Sequence, residues 1–576
     1  MVPDAPIDGK LPSVKPEDRS GDFTFSRGSN LAATRVNKDG LIEKGRENLL
    51  LQSNQFDTTP WTLPNASVTS GQEGYDGSND AWLLNKVNSD GYLRQNVSGS
   101  LNTFSIYAKK GTLDWVRLGS TTFTLVGAFF DLSNGVVGSS NNLISSKIES
   151  IGNGWYRCSI TLDSNPNSVR VFPADSDGVT SGTSGNIYIQ DAQLELGLVA
   201  TGYIETTTAT VQKGILENLP RLDYSGGASC PSLLLEPQRS NLITHSEYFE
   251  TSEWTTPNVV FETNKAISPD GEFNATKFKA NSANSTHWAS TDLTLTSGQD
   301  YTFKLYVKSA EYDWVQIALF GTGWVGSTKK INFNASTGEF GTTDTGITFD
   351  SNPMGNGWHE VIITNEAAST SGVVRVYPMP SDNATSYQGD GASGIYIYGA
   401  QFEQGSYPTS YIPTYGSSVT RSNEFLDAVS YNTTLPTSAF TLFFDFGKTQ
   451  AGIGSGYIYR MDIDGTNTEF DLYQNPFSGG GLNVYLNGQG GYVFGTGGND
   501  AWNADASKVA ISYDGDKLSY FINGSLYNSI TGISFIDAGT KPNFRVSNSS
   551  PQFDLKQYLS FPTALTNDEC IALTTI

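Results

Sequence analysis

The chain repeats itself over most of its length, and a long internal repeat constrains the fold more than any single motif, because both copies must be satisfied by one architecture. Asn48, Ser53, Phe56 and Trp61 return as Asn241, Ser246, Phe249 and Trp254, each 193 residues later. Tyr107, Lys109 and Trp115 return as Tyr306, Lys308 and Trp314, with the offset grown to 199. Gly152-Asn153-Gly154-Trp155 then answers Gly355-Asn356-Gly357-Trp358, and Val169-Arg170-Val171-Phe172-Pro173 answers Val374-Arg375-Val376-Tyr377-Pro378. The closing segments match best: Ala192-Gln193-Leu194-Glu195 with Tyr203-Ile204, against Ala400-Gln401-Phe402-Glu403 with Tyr411-Ile412. Small loop insertions explain the drift, and a module of about 160 to 180 residues has been duplicated.

Neither copy reads as helical. Phe104, Ile106 and Ala108 alternate with Ser105 and Tyr107, the period of two expected of a half-buried strand. Ser133-Asn134-Gly135, Gly152-Asn153-Gly154 and Ser336-Thr337-Gly338 punctuate such runs with residues that accept positive φ or bond their own backbone. The balance of 60 glycines and 12% aromatic residues against 16% charged ones suits sheets joined by tight turns and not long amphipathic helices. The fold class is therefore all-β: tandem antiparallel β-sandwich (jelly-roll) modules over 47–208 and 235–418. Residues 423–576 form a further sandwich with the same grammar. There, Lys508–Tyr513 and Leu518–Ile522 flank the turn Asp514-Gly515-Asp516, Asn523-Gly524 makes the next turn, and Thr566 with Glu569 forms a capping box for one short helix. Residues 1–46 read as an arm and extended strap, and 209–234 as a second strap before the second module.

The net charge of −23 argues against nucleic acid and anionic membranes as partners, since both are held by clustered Lys and Arg. The opening Met1-Val2-Pro3-Asp4-Ala5-Pro6 has no basic region ahead of an apolar one, and no stretch nears the length of a spanning helix. Cys158, Cys230 and Cys570 are too scattered for a disulfide framework or a zinc knuckle.

The straps carry a resemblance. Phe25-Ser26-Arg27-Gly28-Ser29 with Ala33-Thr34-Arg35-Val36-Asn37 and Gly40-Leu41-Ile42-Glu43, and then Leu219-Pro220-Arg221-Leu222-Asp223-Tyr224 with Leu233-Leu234-Leu235-Glu236-Pro237-Gln238-Arg239, resemble tailed-bacteriophage head-spike and tail-fibre proteins whose modules are similar to carbohydrate-binding jelly rolls. The tail, with Leu518–Gly524 and Phe561–Thr566, is similar to concanavalin-like and laminin-G-like lectin domains. This resemblance implies a virion protein exposed on the head or tail, with other virion proteins and host surface glycans as partners and a homo-oligomeric, often trimeric, state. Release by lysis within an assembled particle would then stand in for a secretory signal.

Sugar recognition needs a flat aromatic face with polar groups beside it. The paired tryptophans Trp61/Trp254, Trp115/Trp314 and Trp155/Trp358 read as scaffold. Trp82, Trp288, Trp324 and Trp502 lie outside that shared set and are the candidate sugar platforms, Trp324 because Gly321-Thr322-Gly323-Trp324-Val325-Gly326 is turn-rich. Arg170 and Arg375, mid-strand between valines, are candidates for an acidic sugar, against the plainer reading of a pair with an in-module carboxylate. Asp175, Asp177 and Asp382 offer oxygen ligands in loops for Ca²⁺, although without EF-hand spacing, and as solvated turns they need no metal. No other cofactor is called for. Catalysis is not expected: Asp462 and Asp464 share a strand face but lack a glycosidase pattern, and His245, His287 and His359 lack HExxH spacing. The alternatives are a ligand-free capsid or tail decoration protein and a polysaccharide depolymerase.

Overall fold

A computed structural model describes residues 23–575, except 29–30, 88–89, 99–100, 121–125, 163–165, 183, 216–220, 228–230, 429–438, 451–455, 464–466, 475–481, 487–490, 496–506, 534–540, 546–551 and 562. The duplicated module is a two-sheet sandwich in both copies. In the first, a six-stranded antiparallel sheet runs Ser145–Gly152, Trp155–Leu162, Asn102–Lys110, Gly185–Leu196, Ala81–Lys86, Ala66–Gln72, and a five-stranded sheet runs Val136–Asn141, Gly127–Asp131, Trp115–Gly119, Ser168–Ala174, Leu93–Asn96. The second copy repeats both orders with Thr348–Pro353 through Val259–Ala266 and Glu339–Thr343 through Ala289–Thr294. Inward residues of the two sheets close each core: Leu84, Phe104, Ile106, Val116, Leu118, Val169 and Val171 in module 1; Phe278, Phe303, Leu305, Val315, Ile317, Val374 and Val376 in module 2. Successive strand residues point to opposite faces, so this inward set defines the outward one.

The segments that the copies share most closely prove to be a buried polar latch. Asn48 donates its amide to the carbonyls of Ala192 and Ile204 and accepts from the backbone N–H groups of Leu50 and Leu194. Asn241 does the same with Ala400, Ile412, Ile243 and Phe402. Every hydrogen-bonding site of each amide is used, which removes the desolvation penalty of burying it. Gln193 and Gln401 extend the latch, each accepting from the N–H of Ile204 or Ile412 near the end of its module and donating to Glu195 or Glu403.

The third unit is a pair of seven-stranded sheets that also take in strands from both straps. The strand Phe23–Arg27, within the segment read as arm and strap, pairs with Glu424–Ala428 at the edge of one C-terminal sheet. Arg221–Asp223 and Ser232–Leu235, expected in a linker, extend the other sheet beside Gln552–Phe561. The expected hairpin Ser507–Tyr513 to Leu518–Ile522 and the capped helix Asn567–Thr574 are both present. At the junction, Arg221 binds Glu236 and Glu424, Arg27 binds Glu424, and Arg421 binds Glu236, all with fully buried side chains. Burial would raise Glu236, but Arg421 and Arg221 outweigh it and hold the carboxyl at about 2. The strap residues thus act as an ionic rivet through which both straps and the ends of module 2 meet the C-terminal sandwich. Among the described residues no helix is long and apolar enough to cross a membrane.

Candidate functional site

The outward face of each five-stranded sheet gathers aromatic rings and arginines. In module 2, Val374 and Val376 point inward, so Arg375 and Tyr377 point out, alongside Trp314, Gln316, Ala318 and Phe320 of the neighbouring strand. The Arg375 guanidinium lies 4.1 Å from the centre of the Trp288 ring and 3.4 Å from that of Phe320, a cation held between two aromatic faces. Trp288 and Trp314 are half-buried and flank a small outer cluster of Ala318, Tyr377 and Met379. Gln316 donates to Asn332, whose own amide donates to Asp382. The face therefore offers apolar ring surface with hydrogen-bonding groups at its edges, the combination a pyranose requires.

Module 1 builds the same face from different residues. Strand register equates Tyr92 with Trp288 and Arg170 with Arg375, because Arg94 opposes Arg170 as Ser290 opposes Arg375. Arg170 stacks 5.1 Å from the Tyr92 ring centre. Arg117, where module 2 has Gln316, lies between Phe172 at 4.9 Å and Phe129 at 5.8 Å. In both copies a glycine, Gly138 or Gly341, lets the Trp115 or Trp314 ring lie against the backbone, and a Cβ there would sit 2.6 Å or 2.5 Å from the ring.

Of the sequence candidates, Trp288, Arg170 and Arg375 are brought together on these faces. Among the described residues neither arginine pairs with an in-module carboxylate; each stacks on a ring. Trp82 and Trp324 are corrections. Trp324 is 1% exposed in the module 2 core, because its turn folds inward and its indole donates to the carbonyl of Val373. Trp82 is buried in the module 1 core with its indole donating to Asn54. Neither presents a ring to solvent. Trp502 and Asp464 lie outside the described residues, and Asp462 sits on the strand Gly456–Ile463.

The three Ca²⁺ candidates do not converge. Asp175 pairs with Lys86, Asp177 accepts from the backbone and hydroxyl of Ser139, and Asp382 accepts likewise from Thr342. Among the described residues, no group of three or more His, Cys, Asp or Glu is arranged to hold a metal. His287 is buried between the carbonyls of Asn258 and Tyr387, and His359 packs on Phe333, so both are packing residues.

Residues that the sequence reading missed are Tyr92, Arg94, Arg117, Phe129, Phe172 and Phe320. Their signal was the alternation itself: wherever one strand residue is an inward valine or leucine, its neighbours line the outer face.

A separate cavity of about 40 Å³ lies where the first strap meets both modules, lined by Lys44, Arg46, Glu195, Glu247 and Asp270 among others. The Lys44 ammonium donates to Glu247 and Tyr398 and pairs with Asp270 at 2.6 Å. Burial would lower Lys44, but Asp270 and Glu247 outweigh it and hold it well above the ordinary lysine range. The ammonium occupies the acidic pocket, so this junction is structural.

No family model matches the chain, and no curated protein matches it. Among solved structures, it is similar to the CBM40 of a Ruminococcus gnavus sialidase bound to α2,3 sialyllactose, at 18% identity over 24% of this chain and 83% of that one, with a TM-score of 0.21. The tandem CBM22 modules of Paenibacillus barcinonensis Xyn10C match at 10% identity over 64% of this chain and 98% of theirs, TM-score 0.18. Trypanosoma rangeli sialidase matches at 9% identity over 95% and 98%, TM-score 0.20. These neighbours include carbohydrate-binding modules.

Proposed function

We propose that this chain is a non-catalytic glycan-binding protein in which the outward faces of the two five-stranded sheets are the binding surfaces. The observation that carries the reading is the duplicated stack of Arg170 on Tyr92 and Arg375 on Trp288, at equivalent register in two modules whose other outer residues differ. A ring pinned under a guanidinium keeps one rigid orientation, which lowers the entropy lost when a sugar docks beside it. Weak binding at each face, linked in one chain, becomes avidity through effective concentration. The strap motifs support the finer reading, a head-spike, fibre or tail-fibre protein on a phage particle that attaches to host surface glycans, in a homo-oligomer that multiplies the sites again.

A glycan array together with whole-cell binding, with reducing-sugar release monitored, tests this. Saturable binding without sugar release, weakened by Trp288→Ala at an unchanged unfolding midpoint, is expected. Sugar release would make the chain a depolymerase. An absence of binding to any glycan or cell would leave the sandwiches as ligand-free decoration.

A further inference from the structure

Resting on that reading, we propose that the module 1 face recognises an anionic glycan, binding its carboxylate or sulfate through Arg94, Arg117 and Arg170, whereas the equivalent module 2 face does not require an acidic group. Three arginines converge on one sheet face. Arg94 stands directly opposite Arg170, and Arg117 opposes Phe172, two residues further along the same strand. Like charges at such positions repel, and none of the three forms an ion pair with a carboxylate among the described residues.

Solvent reaches little of two of the three: Arg117 is 8% and Arg170 6% exposed, while Arg94 is half-buried. Arg117 donates to the carbonyl of Val126 and Arg170 Nε to the hydroxyl of Ser168, but Arg170 Nη1 and Arg94 Nε are buried without a hydrogen-bond partner. The protein has another way of burying arginine, seen in Arg27, Arg221 and Arg421, each set against Glu236 or Glu424. Among the described residues, Arg157 and Arg239 are buried singly against Tyr107 and Tyr407 without an ion pair, but the module 1 face gathers three guanidiniums with no carboxylate paired to them. Burial lowers the pKa of both Arg117 and Arg170, and Arg170 in the first case and Arg94 in the second lower it further, while Tyr92 opposes the shift in Arg170. An anion is the missing partner on these grounds. Planar guanidiniums stacked on rings present their N–H edges sideways, the geometry that takes a carboxylate or sulfate through paired hydrogen bonds.

The floor is shaped for this. Gly119 lies beneath the Arg117 guanidinium, and a Cβ there would meet Nη1 at 3.0 Å. In module 2 the corresponding positions are Ala318, Gln316 and Ser290, so one cation, Arg375, remains of the three. On a chain of net charge −23, a local cationic face selects for an acidic group by short-range pairing and not by long-range attraction.

The test is a glycan array with carboxylate-bearing, sulfate-bearing and neutral arms, probed with the full chain and with Arg117→Gln and Trp288→Ala, each checked for an unchanged chemical-unfolding midpoint. The expected result is binding to at least one acidic arm that weakens as salt is raised. Arg117→Gln should weaken it about tenfold, whereas Trp288→Ala should weaken binding to the neutral arms. The arm bound identifies carboxylate or sulfate as the group. Binding confined to neutral glycans and lost in Trp288→Ala would overturn this inference while leaving the glycan reading standing; binding to no arm would sink both. Should Arg117→Gln unfold, Arg94→Gln at the half-exposed rim gives the same readout, and retention of full acidic binding in that variant overturns the assignment.

Discussion

The two jelly-roll modules share a latch and differ in what fills the pocket beside it. In module 2 the pocket holds Glu247 and Asp270, and the strap inserts Lys44 between them. Strand register places Asp76, Asp80 and Asp191 of module 1 where Asp270, Asn274 and Gly399 stand in module 2, and there no lysine or arginine pairs with the three carboxylates among the described residues. Tyr75 donates to Asp191, and Gln190 donates to Asp76 and Asp80. Asp191 also takes a positive φ of 52°, at the bulge where module 2 uses Gly399 at 62°. Duplication kept the backbone solution and let the charge solution diverge. One module is tied to the strap by a buried ion pair, while the other carries like charges on neutral donors.

Four substitutions sharpen that contrast. The largest effect is expected from Lys44→Met, which leaves Glu247 and Asp270 as buried carboxylates without their cation and should destabilise module 2 by about 3 kcal/mol or more, read as a lower urea midpoint. A midpoint shared with the wild type would mean that the ammonium does not hold the strap. Next come Asn48→Ala and Asn241→Ala, each stranding two carbonyls and two N–H groups. Each should cost about 1–3 kcal/mol in its own module, and a strongly unequal pair would break the claim that the latches are equivalent. The smallest effect is read in pH. Burial, then the charges of Asp80 and Asp76, push the Asp191 carboxyl up to about 6 against the hydroxyl of Tyr75. Its folded pKa thus exceeds the unfolded one, so its contribution is fully present below about 4 and is lost as pH rises through about 6. Asp191→Asn should flatten the stability slope in that window, and an unchanged slope would show that the pocket does not titrate there.

How much of this was legible in the sequence varies by residue. Asn48 and Asn241, Gln193 and Gln401, and Glu195 and Glu403 stood out because both copies need them, and the structure shows that need to be the latch. The same comparison hid Arg117 and Arg94, since their counterparts are Gln316 and Ser290 and a search for shared residues discards what has diverged. Trp324 was misplaced for another reason. A glycine-rich turn was read as surface, whereas its indole finds a carbonyl inside the sandwich and fills core volume. The strap was recognisable as a motif, but its reason was not, because Arg27, Arg221, Glu236, Arg421 and Glu424 are up to 397 residues apart along the chain.

By itself the sequence determined the class, the duplication, the strand faces and the turns, because these follow from period-two alternation and from the local conformational freedom of Gly, Asn and Asp. Only the tertiary structure decided which outer-face rings meet which arginines, which of those arginines lack a carboxylate among the described residues, and which straps complete the C-terminal sandwich. Those outcomes depend on pairings between distant strands, and a local pattern holds no information about which strand will lie opposite.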